Sequence, residues 1–355
     1  MRAGTDSRGA LVAVERVTDD VRSAVRRVLE TVSFRDVLPR GEPVALKVNL
    51  GWDLFIPGSI TSPLVLEALI LELRPHVGPI FVVEADQVLE NVERAFHESG
   101  MAEVCRRHGV QWVNTTREPT VTVEVPDNVV LRRIEVPRVL RTARLVTVPV
   151  MKTHAKTYIT GALKNQWGCL PKMRHEYHLV LDDALADVNR VVRPALCIMD
   201  GTVALEGNGP KSGHPRIANL VLGSTDPVAL DTVQARIMGF DPARVRHLAT
   251  CAARGIGVTD LAHIDVRGLE AARGLAPFRP PRHNAVSRIE TLLRRSWAKR
   301  LFFNTPLFHA CLWGAKAYYL GWTALRGRRA WREVLDHPVY GPQWARAASA
   351  RGIRT

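Results

Sequence analysis

Residues able to bind an anion or exchange a proton follow a predicted strand near the middle of the chain. Residues 145–150 form an apolar, β-branched run, which is typical of a buried strand. Lys152, Thr153 and His154 come directly after it. A lysine supplies a positive charge for a phosphate or carboxylate, and a histidine can exchange a proton near neutral pH. We therefore expect a binding or catalytic site here, with a surface loop as the alternative interpretation.

Polar residues follow several other predicted strands in the same way. Ligands of α/β proteins bind beyond the carboxyl ends of parallel strands, so residues at those ends should share one crevice. Together these residues are Lys47, Asn49, Glu84, Asp86, Lys152, His154 and Asp200. The pattern predicts one crevice with cationic and acidic groups, and separate solvated loops are the alternative.

The segment after His154 also carries groups that suit an anion. Residues 161–165 are predicted to begin a helix, and the backbone amides at a helix N-terminus favour a negative charge. Lys164 and Asn165 would lie beside that charge. A solvated helix face is the alternative interpretation of the same two residues.

A glycine-rich segment, residues 199–215, follows a further predicted strand. Glycines let the backbone approach a ligand closely, so successive amides near Gly207, Gly209 and Lys211 could cradle an anion. The segment lacks the G-x-x-x-x-G-K-[ST] order, and a P-loop nucleotide site is therefore not predicted. A plain turn is the alternative.

The signals for a metal or cluster are weak. His175 and His178 are three residues apart, so on a helix they could share a divalent metal with a downstream carboxylate. No third ligand or fixed motif accompanies them. The five cysteines include no C-x-x-C pair, which argues against an iron–sulfur cluster and favours reduced thiols. The sequence therefore names no cofactor, and a divalent metal at His175 and His178 is an alternative.

Strands and amphipathic helices alternate before residue 281. This alternation predicts an α/β fold with a largely parallel sheet flanked by helices, and two α/β lobes with a cleft between them are an alternative. Ser62-Pro63 and Asp226-Pro227 mark helix starts. The predicted strands are 44–48, 80–83, 111–113, 129–136, 145–150, 195–199 and 219–222. The predicted helices are 63–73, a stretch within 89–107, and 227–238.

The composition changes near Pro280-Pro281. Of the formal net charge of +14, residues 282–355 carry +11, together with 11 of the 22 aromatic residues. We therefore predict an α/β domain over residues 10–281 and a basic, aromatic-rich helical tail over residues 282–355. Within the tail, residues 307–325 are apolar almost throughout, with His309 and Lys316 as the main exceptions.

Such a tail is suited to an anionic membrane surface. Aromatic and basic side chains settle at lipid headgroups, and a lysine can extend its charge out of an apolar face. A helix packed on the body, or a homodimer interface, is the alternative. Nucleic acid is not predicted, because no nucleic-acid-binding motif accompanies the charge. The N-terminus has no apolar signal segment, so we expect a cytoplasmic protein at the inner face of the membrane.

Several segments, in this order and spacing, resemble a known prokaryotic family. They are KVNL (47–50), TSP (61–63), VMKTH (150–154), TGALKNQWG (160–168), DGTVALEGNGP (200–210) and STDPVALDTVQARIMG (224–239). Through them the chain is identified as a member of the family of domain of unknown function 362, over roughly residues 40–260. The resemblance implies no reaction. Some relatives carry a ferredoxin-like iron–sulfur segment, and this chain has no such motif. The matching residues are Lys47, Asn49, Lys152, His154, Lys164, Asn165, Asp200, Glu206, Gly207, Gly209, Pro210, Asp226 and Asp231.

We expect an enzyme that acts on a small anionic substrate bearing a phosphate or carboxylate. His154 is the predicted acid–base group, assisted by Lys152, with Asp200 or Glu206 as its carboxylate partner. Lys47, Asn49, Lys164 and Asn165 are the predicted ligand-binding residues, together with Gly207, Gly209 and Lys211. A redox or metal-handling protein is one alternative, and a non-catalytic binding protein tethered to a membrane is another.

Overall fold

The computed structural model describes residues 9–51, 56–87, 91–171, 175–282, 285–296, 305 and 307–350. The strands are β1 (Ala10–Arg16), β2 (Val44–Lys47), β3 (Ile80–Glu84), β4 (Gln111–Asn114), β5 (Thr120–Glu124), β6 (Arg133–Pro137), β7 (Arg144–Thr147), β8 (Val150–His154), β9 (Tyr158–Thr160), β10 (Leu196–Asn208), β11 (Ser212–Ser224) and β12 (Ile264–Arg267). The helices are α1 (Val21–Thr31), α2 (Phe34–Val37), α3 (Pro63–Leu73), α4 (Val92–Glu98), α5 (Met101–His108), α6 (Val139–Thr142), α7 (Ala162–Asn165), α8 (Leu181–Val191), α9 (Pro227–Ile237), α10 (Arg246–Ala253), α11 (Ala285–Arg295), α12 (Leu307–Trp322), α13 (Arg328–Leu335) and α14 (Gly341–Ala350).

Ten strands join in one sheet with helices packed against it, which confirms the predicted α/β fold. The main order is β12-β1-β11-β10-β7-β2-β3-β4, while β8 pairs with β10 and β9 pairs with β8. The pairs from β10 through β7, β2 and β3 to β4 are parallel, as is the pair of β8 with β10. The strands β5 and β6 form a separate antiparallel pair. The carboxyl ends of β2, β3 and β8 therefore point toward the same edge, where the site lies.

The helix starts predicted from proline are confirmed. The Ser62 hydroxyl accepts a hydrogen bond from the Leu64 amide, and Pro63 occupies the first turn of α3. The Asp226 carboxylate accepts hydrogen bonds from the Val228 and Ala229 amides at the start of α9. Each side chain satisfies backbone donors that have no partner within the helix, which fixes where the helix begins.

The predicted strand over residues 145–150 is two strands. β7 ends at Thr147 and β8 begins at Val150, with Pro149 between them. Proline lacks the N–H that a central strand donates, so the ladder is interrupted there. Lys152 and His154 consequently belong to β8 itself. Because they are two residues apart, they lie on the same face of that strand.

The glycine-rich segment is a hairpin rather than an anion-binding loop. β10 continues past residue 199 as far as Asn208, and the chain returns as β11, pairing Gly207 with Gly213. The backbone groups of this segment are therefore largely used by the ladder. Gly207 has a positive φ of 75°, a conformation that glycine adopts readily.

The last two helices complete the core of the body. Trp331, Tyr340 and Trp344 are at most 1% exposed, and they pack in the same apolar cluster as residues of α1 and α3. The Gln343 side chain also accepts hydrogen bonds from the Ser62 hydroxyl and the Leu64 amide. Residues 328–350 are thus part of the folded body and hold the start of α3.

By contrast, α12 lies on the surface. Tyr319 is buried against the body, whereas Trp313 is 75% exposed and Leu320 is 48% exposed. Within the part of the chain that the structure describes, no helix is both long enough and apolar enough to span a bilayer.

Replacing Trp344 should show that α14 is integral to the fold. Trp344→Ala is expected to lower the free energy of unfolding by about 3–5 kcal/mol, because it leaves a cavity in the core. The matched control, Trp313→Ala, removes an exposed tryptophan of the same C-terminal segment and should change stability by about 0.5 kcal/mol or less. Urea denaturation measures both, and equal effects would contradict this role of α14.

Candidate functional site

A buried ion pair joins the ends of β2 and β3. Lys47 Nζ lies 2.7 Å from Glu84 Oε1, and the two side chains are 1% and 2% exposed. Lys47 Nζ also donates to the Val48 carbonyl, while Glu84 Oε2 accepts from the Leu50 amide. A Cβ at Gly168 would lie 2.5 Å from Lys47 Nζ, so only glycine fits at this position without displacing the pair.

Two asparagines and a second lysine extend this network. Asn49 Nδ2 donates to Asn165 Oδ1 at 2.9 Å, and Lys152 Nζ donates to Asn49 Oδ1 at 2.7 Å. Lys152 Nζ also donates to the Ser59 carbonyl. Asn165 Nδ2 in turn donates to Thr147 Oγ1 at 2.8 Å, which ties α7 to the end of β7. These bonds fix the orientation of Lys152 although it is almost fully buried.

His154 is held by the turn that follows β8. Its Nδ1 accepts hydrogen bonds from the backbone amides of Lys156, at 3.1 Å, and Thr157, at 3.3 Å. A neutral ring that accepts at Nδ1 carries its proton at Nε2. Burial, together with the charges of Lys164, Lys156 and Lys152, holds the pKa of His154 well below its usual range. His154 is therefore neutral near pH 7 and presents an N–H donor at Nε2.

These residues line one cleft, with about 430 Å³ of empty space including its open mouth. Its described lining carries three lysines (Lys47, Lys152 and Lys164) and a single carboxylate, Glu84. The remaining lining residues are Asn49, Gly51, Gln87, His154, Thr160, Asn165, Trp167, Gly168 and Pro210. A buried oxygen, Thr160 Oγ1, has no hydrogen-bond partner within the described part of the chain. The cleft thus combines an excess of positive charge with an unused hydroxyl.

The sequence predicted seven of the described lining residues, one of which is Glu84, and overlooked others. The structure brings Lys47, Asn49, Lys152, His154, Lys164 and Asn165 together with Glu84 around the cleft. Thr160, Trp167 and Gly168 were not selected, although they flank Lys164 and Asn165 in the chain. That proximity was the signal available. No sequence signal pointed to Gln87, because its position in the cleft depends on the path of the loop after β3.

The two predicted carboxylate partners of His154 lie outside the described lining of the cleft. Asp200 Oδ2 accepts from the Ser62 amide at 2.7 Å, and its Oδ1 accepts from Thr202, so it anchors the start of α3. Burial raises the pKa of Asp200. Glu206 forms ion pairs with Arg216, at 3.1 Å, and Arg279, at 3.0 Å. Both acids therefore stabilise the fold around the cleft.

Three other residues of the predicted anion loop also lie elsewhere. Gly207 and Gly209 belong to the β10–β11 hairpin, and Pro210 contributes to the rim of the cleft in their place. Lys211 Nζ lies 5.6 Å from the centre of the Tyr319 ring, over its face. Lys211 therefore contacts α12 and is not among the described residues that line the cleft.

The N-terminus of α7 already holds a carboxylate. Asp231 accepts hydrogen bonds from the Ala162 and Leu163 amides, at 2.6 and 3.0 Å. Burial raises the pKa of Asp231 to about 7. The amides expected to favour a bound anion are thus used by a side chain of α9, while Lys164 and Asn165 still line the cleft.

Of the two predicted metal-binding histidines, only His178 has a side chain among the described residues. His175 begins a short helical turn, His175–Val180, but its side chain lies outside the described residues. His178 Nδ1 lies 2.6 Å from Lys156 Nζ and 2.9 Å from Glu290 Oε1. In the described ranges, no group of three His, Cys, Asp or Glu side chains is arranged to hold a metal ion.

Removing the acid of the buried pair should be costly. Glu84→Gln leaves the Lys47 charge without its carboxylate and is expected to lower the free energy of unfolding by about 3–5 kcal/mol at pH 7. The control is Glu103→Gln, which breaks an exposed pair with Arg106 and should leave stability close to the wild-type value. Chemical denaturation compares the two, and a small loss for Glu84→Gln would contradict the role given to this pair.

The comparison with known proteins places the cleft within a family domain. A family model described as a domain of unknown function (DUF362) matches residues 44–236, which include every described residue lining the cleft. A thylakoid-associated protein of Synechocystis sp. is 34% identical over 123 residues, which are 32% of this chain and 38% of that relative. The chain thus spans less than two-fifths of the relative in this match. Because the family model covers more than half of the 355 residues, the protein belongs to the DUF362 family.

Proposed function

We propose that the cleft binds a small anionic substrate that carries a phosphate or carboxylate group. The observation that supports this is the charge of the described lining, which has three lysines and one carboxylate. That carboxylate is paired with Lys47. A bound anion would offset the excess charge and gain charge-assisted hydrogen bonds.

Within this proposal His154 acts as a hydrogen-bond donor. Its Nδ1 is occupied by two backbone amides, so the neutral ring offers Nε2–H and not a free lone pair to the substrate. Such a donor stabilises negative charge that develops on a carbonyl or phosphoryl oxygen.

Thr160 and Trp167 complete the proposed substrate site. The buried Thr160 hydroxyl lacks a partner in the described ranges and could donate to a substrate oxygen. Trp167 provides an aromatic wall, fixed by an edge-to-face contact with Tyr177. These groups suit an enzyme that polarises an oxygen of a small anionic substrate with hydrogen-bond donors. They suit acid–base catalysis by a histidine–carboxylate pair less well.

Calorimetric titration with sulfate at low ionic strength tests the binding proposal. Sulfate should bind to the wild-type protein, and Lys164→Met should weaken the binding roughly 10-fold or more, because a charged hydrogen bond is lost. Lys211→Met is the matched control, since it removes a lysine outside the described lining, and it should bind like the wild type. Equal weakening by both substitutions would indicate a general charge effect and contradict the proposal.

A second proposed function is peripheral association with an anionic membrane surface. Trp313, Ala317, Leu320 and Ala324 are exposed at positions i, i+4, i+7 and i+11, which places them on one side of α12 and the turn after it. Three exposed arginines, Arg326, Arg329 and Arg332, follow this stripe. Apolar insertion beside cationic groups suits anionic lipid, and the relative named as thylakoid-associated is consistent with it.

Flotation with liposomes containing anionic phosphatidylglycerol tests the membrane proposal. The wild-type protein should float at low salt, and the double variant Trp313→Gln/Leu320→Gln should remain mostly at the bottom, because its apolar contact is lost. Leu269→Gln, at a residue of the body that is 49% exposed, is the control and should float like the wild type. Unchanged flotation of the double variant would exclude α12 as the membrane contact.

A further inference from the structure

A polar cluster connects the turn after His154 to α11. Lys156 Nζ lies 2.8 Å from Glu290 Oε1, and Arg294 Nε donates to the same oxygen at 2.9 Å. His178 Nδ1 contacts both Lys156 and Glu290. The side chains of Lys156 and Glu290 are 19% and 25% exposed, so water screens this pair less than it screens the surface pairs.

Lys156 belongs to this cluster and to the surroundings of His154 at the same time. Its side chain reaches Glu290, while its backbone amide donates to His154 Nδ1 at 3.1 Å. The turn between β8 and β9, which consists of residues 155–157, also supplies the second amide, that of Thr157. Any displacement of Lys156 would therefore move a group that sets the tautomer of His154.

We propose that Glu290 is a positioning residue for His154. By holding the Lys156 side chain, it keeps the 155–157 turn in place, so that two amides occupy His154 Nδ1 and the proton is retained at Nε2. Although burial acts in the opposite direction, the His178 hydrogen bond and the Lys156 charge hold the pKa of Glu290 well below its usual range. The carboxylate is thus ionised, and available to hold Lys156, throughout the neutral range.

The positioning of His154 by Glu290 does not depend on the proposed function. Only its consequence, that the His154 donor faces a substrate, rests on that function. The positioning also assigns α11 a part in the site, although α11 lies outside the residues matched by the family model. The inner side of α11 carries Glu290 and Arg294, whereas Ile289 and Leu292 are 57% and 69% exposed. Glu290 of α11 therefore reaches the neighbourhood of His154 through polar contacts with Lys156 and His178.

The test uses the full-length protein with ¹⁵N-labelled histidine and reads the two ring nitrogens of His154 by NMR at pH 7, without ligand. The wild-type protein should show only the Nε2–H tautomer. In Glu290→Ala the Nδ1–H tautomer should become populated, and sulfate affinity should fall roughly 3- to 10-fold, the range expected for one lost hydrogen bond. Glu290→Gln retains an acceptor oxygen for Lys156. It should therefore shift the tautomer and weaken sulfate binding less than Glu290→Ala does.

Glu333→Ala on α13 removes an exposed carboxylate from the same C-terminal segment and should leave both readouts unchanged. Should Glu290→Ala fail to fold, Lys156→Met tests the same contact from the other side and should shift the tautomer similarly. An unchanged tautomer in the folded Glu290 or Lys156 variants would overturn the positioning role. A shifted tautomer in a protein whose wild type does not bind sulfate would support the positioning role and overturn the proposed substrate class instead.

Discussion

Lys47 and Glu84 meet where two neighbouring parallel strands end, and the rest of the cleft is arranged around this contact. Removing two charges from water costs several kcal/mol for each ion, which only close approach and further hydrogen bonds can offset. The Val48 carbonyl and the Leu50 amide supply such bonds. Gly168 packs directly against the pair, which a side chain at this position would displace. The order of the strands, the path of the loops after them and the glycine at position 168 thus all contribute to burying the Lys47–Glu84 ion pair.

From this pair the contacts continue outward in order. Asn165 accepts from Asn49, Asn49 accepts from Lys152, and Lys152 lies on the same face of β8 as His154. The turn after β8 then connects His154 to Glu290 on α11. The side chains of the cleft are therefore oriented by successive hydrogen bonds.

The sequence located candidate site residues that lie near the visible ends of apolar strands. It did not locate residues whose position depends on how far a strand continues. Lys47, Lys152 and His154 could be predicted because they lie in the last three residues of strands that the apolar runs of the sequence reveal. Asp200 and Glu206 could not be placed, since β10 continues through them to pair with β11. Glycines in that segment suggest a loop, and only the pairing partner shows that they belong to a hairpin.

The C-terminal segment shows a second limit of the same kind. Its charge and aromatic content predicted a surface-binding tail, but composition does not distinguish a tryptophan that packs inside from one that faces solvent. Trp331 and Trp344 are buried because α13 and α14 pack on the body, whereas Trp313 stays exposed on α12.

The most direct test of the central claim, that the cleft binds an anion, is the anomalous diffraction of crystals soaked in selenate, a sulfate analogue. The account predicts a selenium peak in the cleft, within hydrogen-bonding reach of Lys164 Nζ and His154 Nε2, whereas selenium found only outside the cleft, or nowhere, would contradict it.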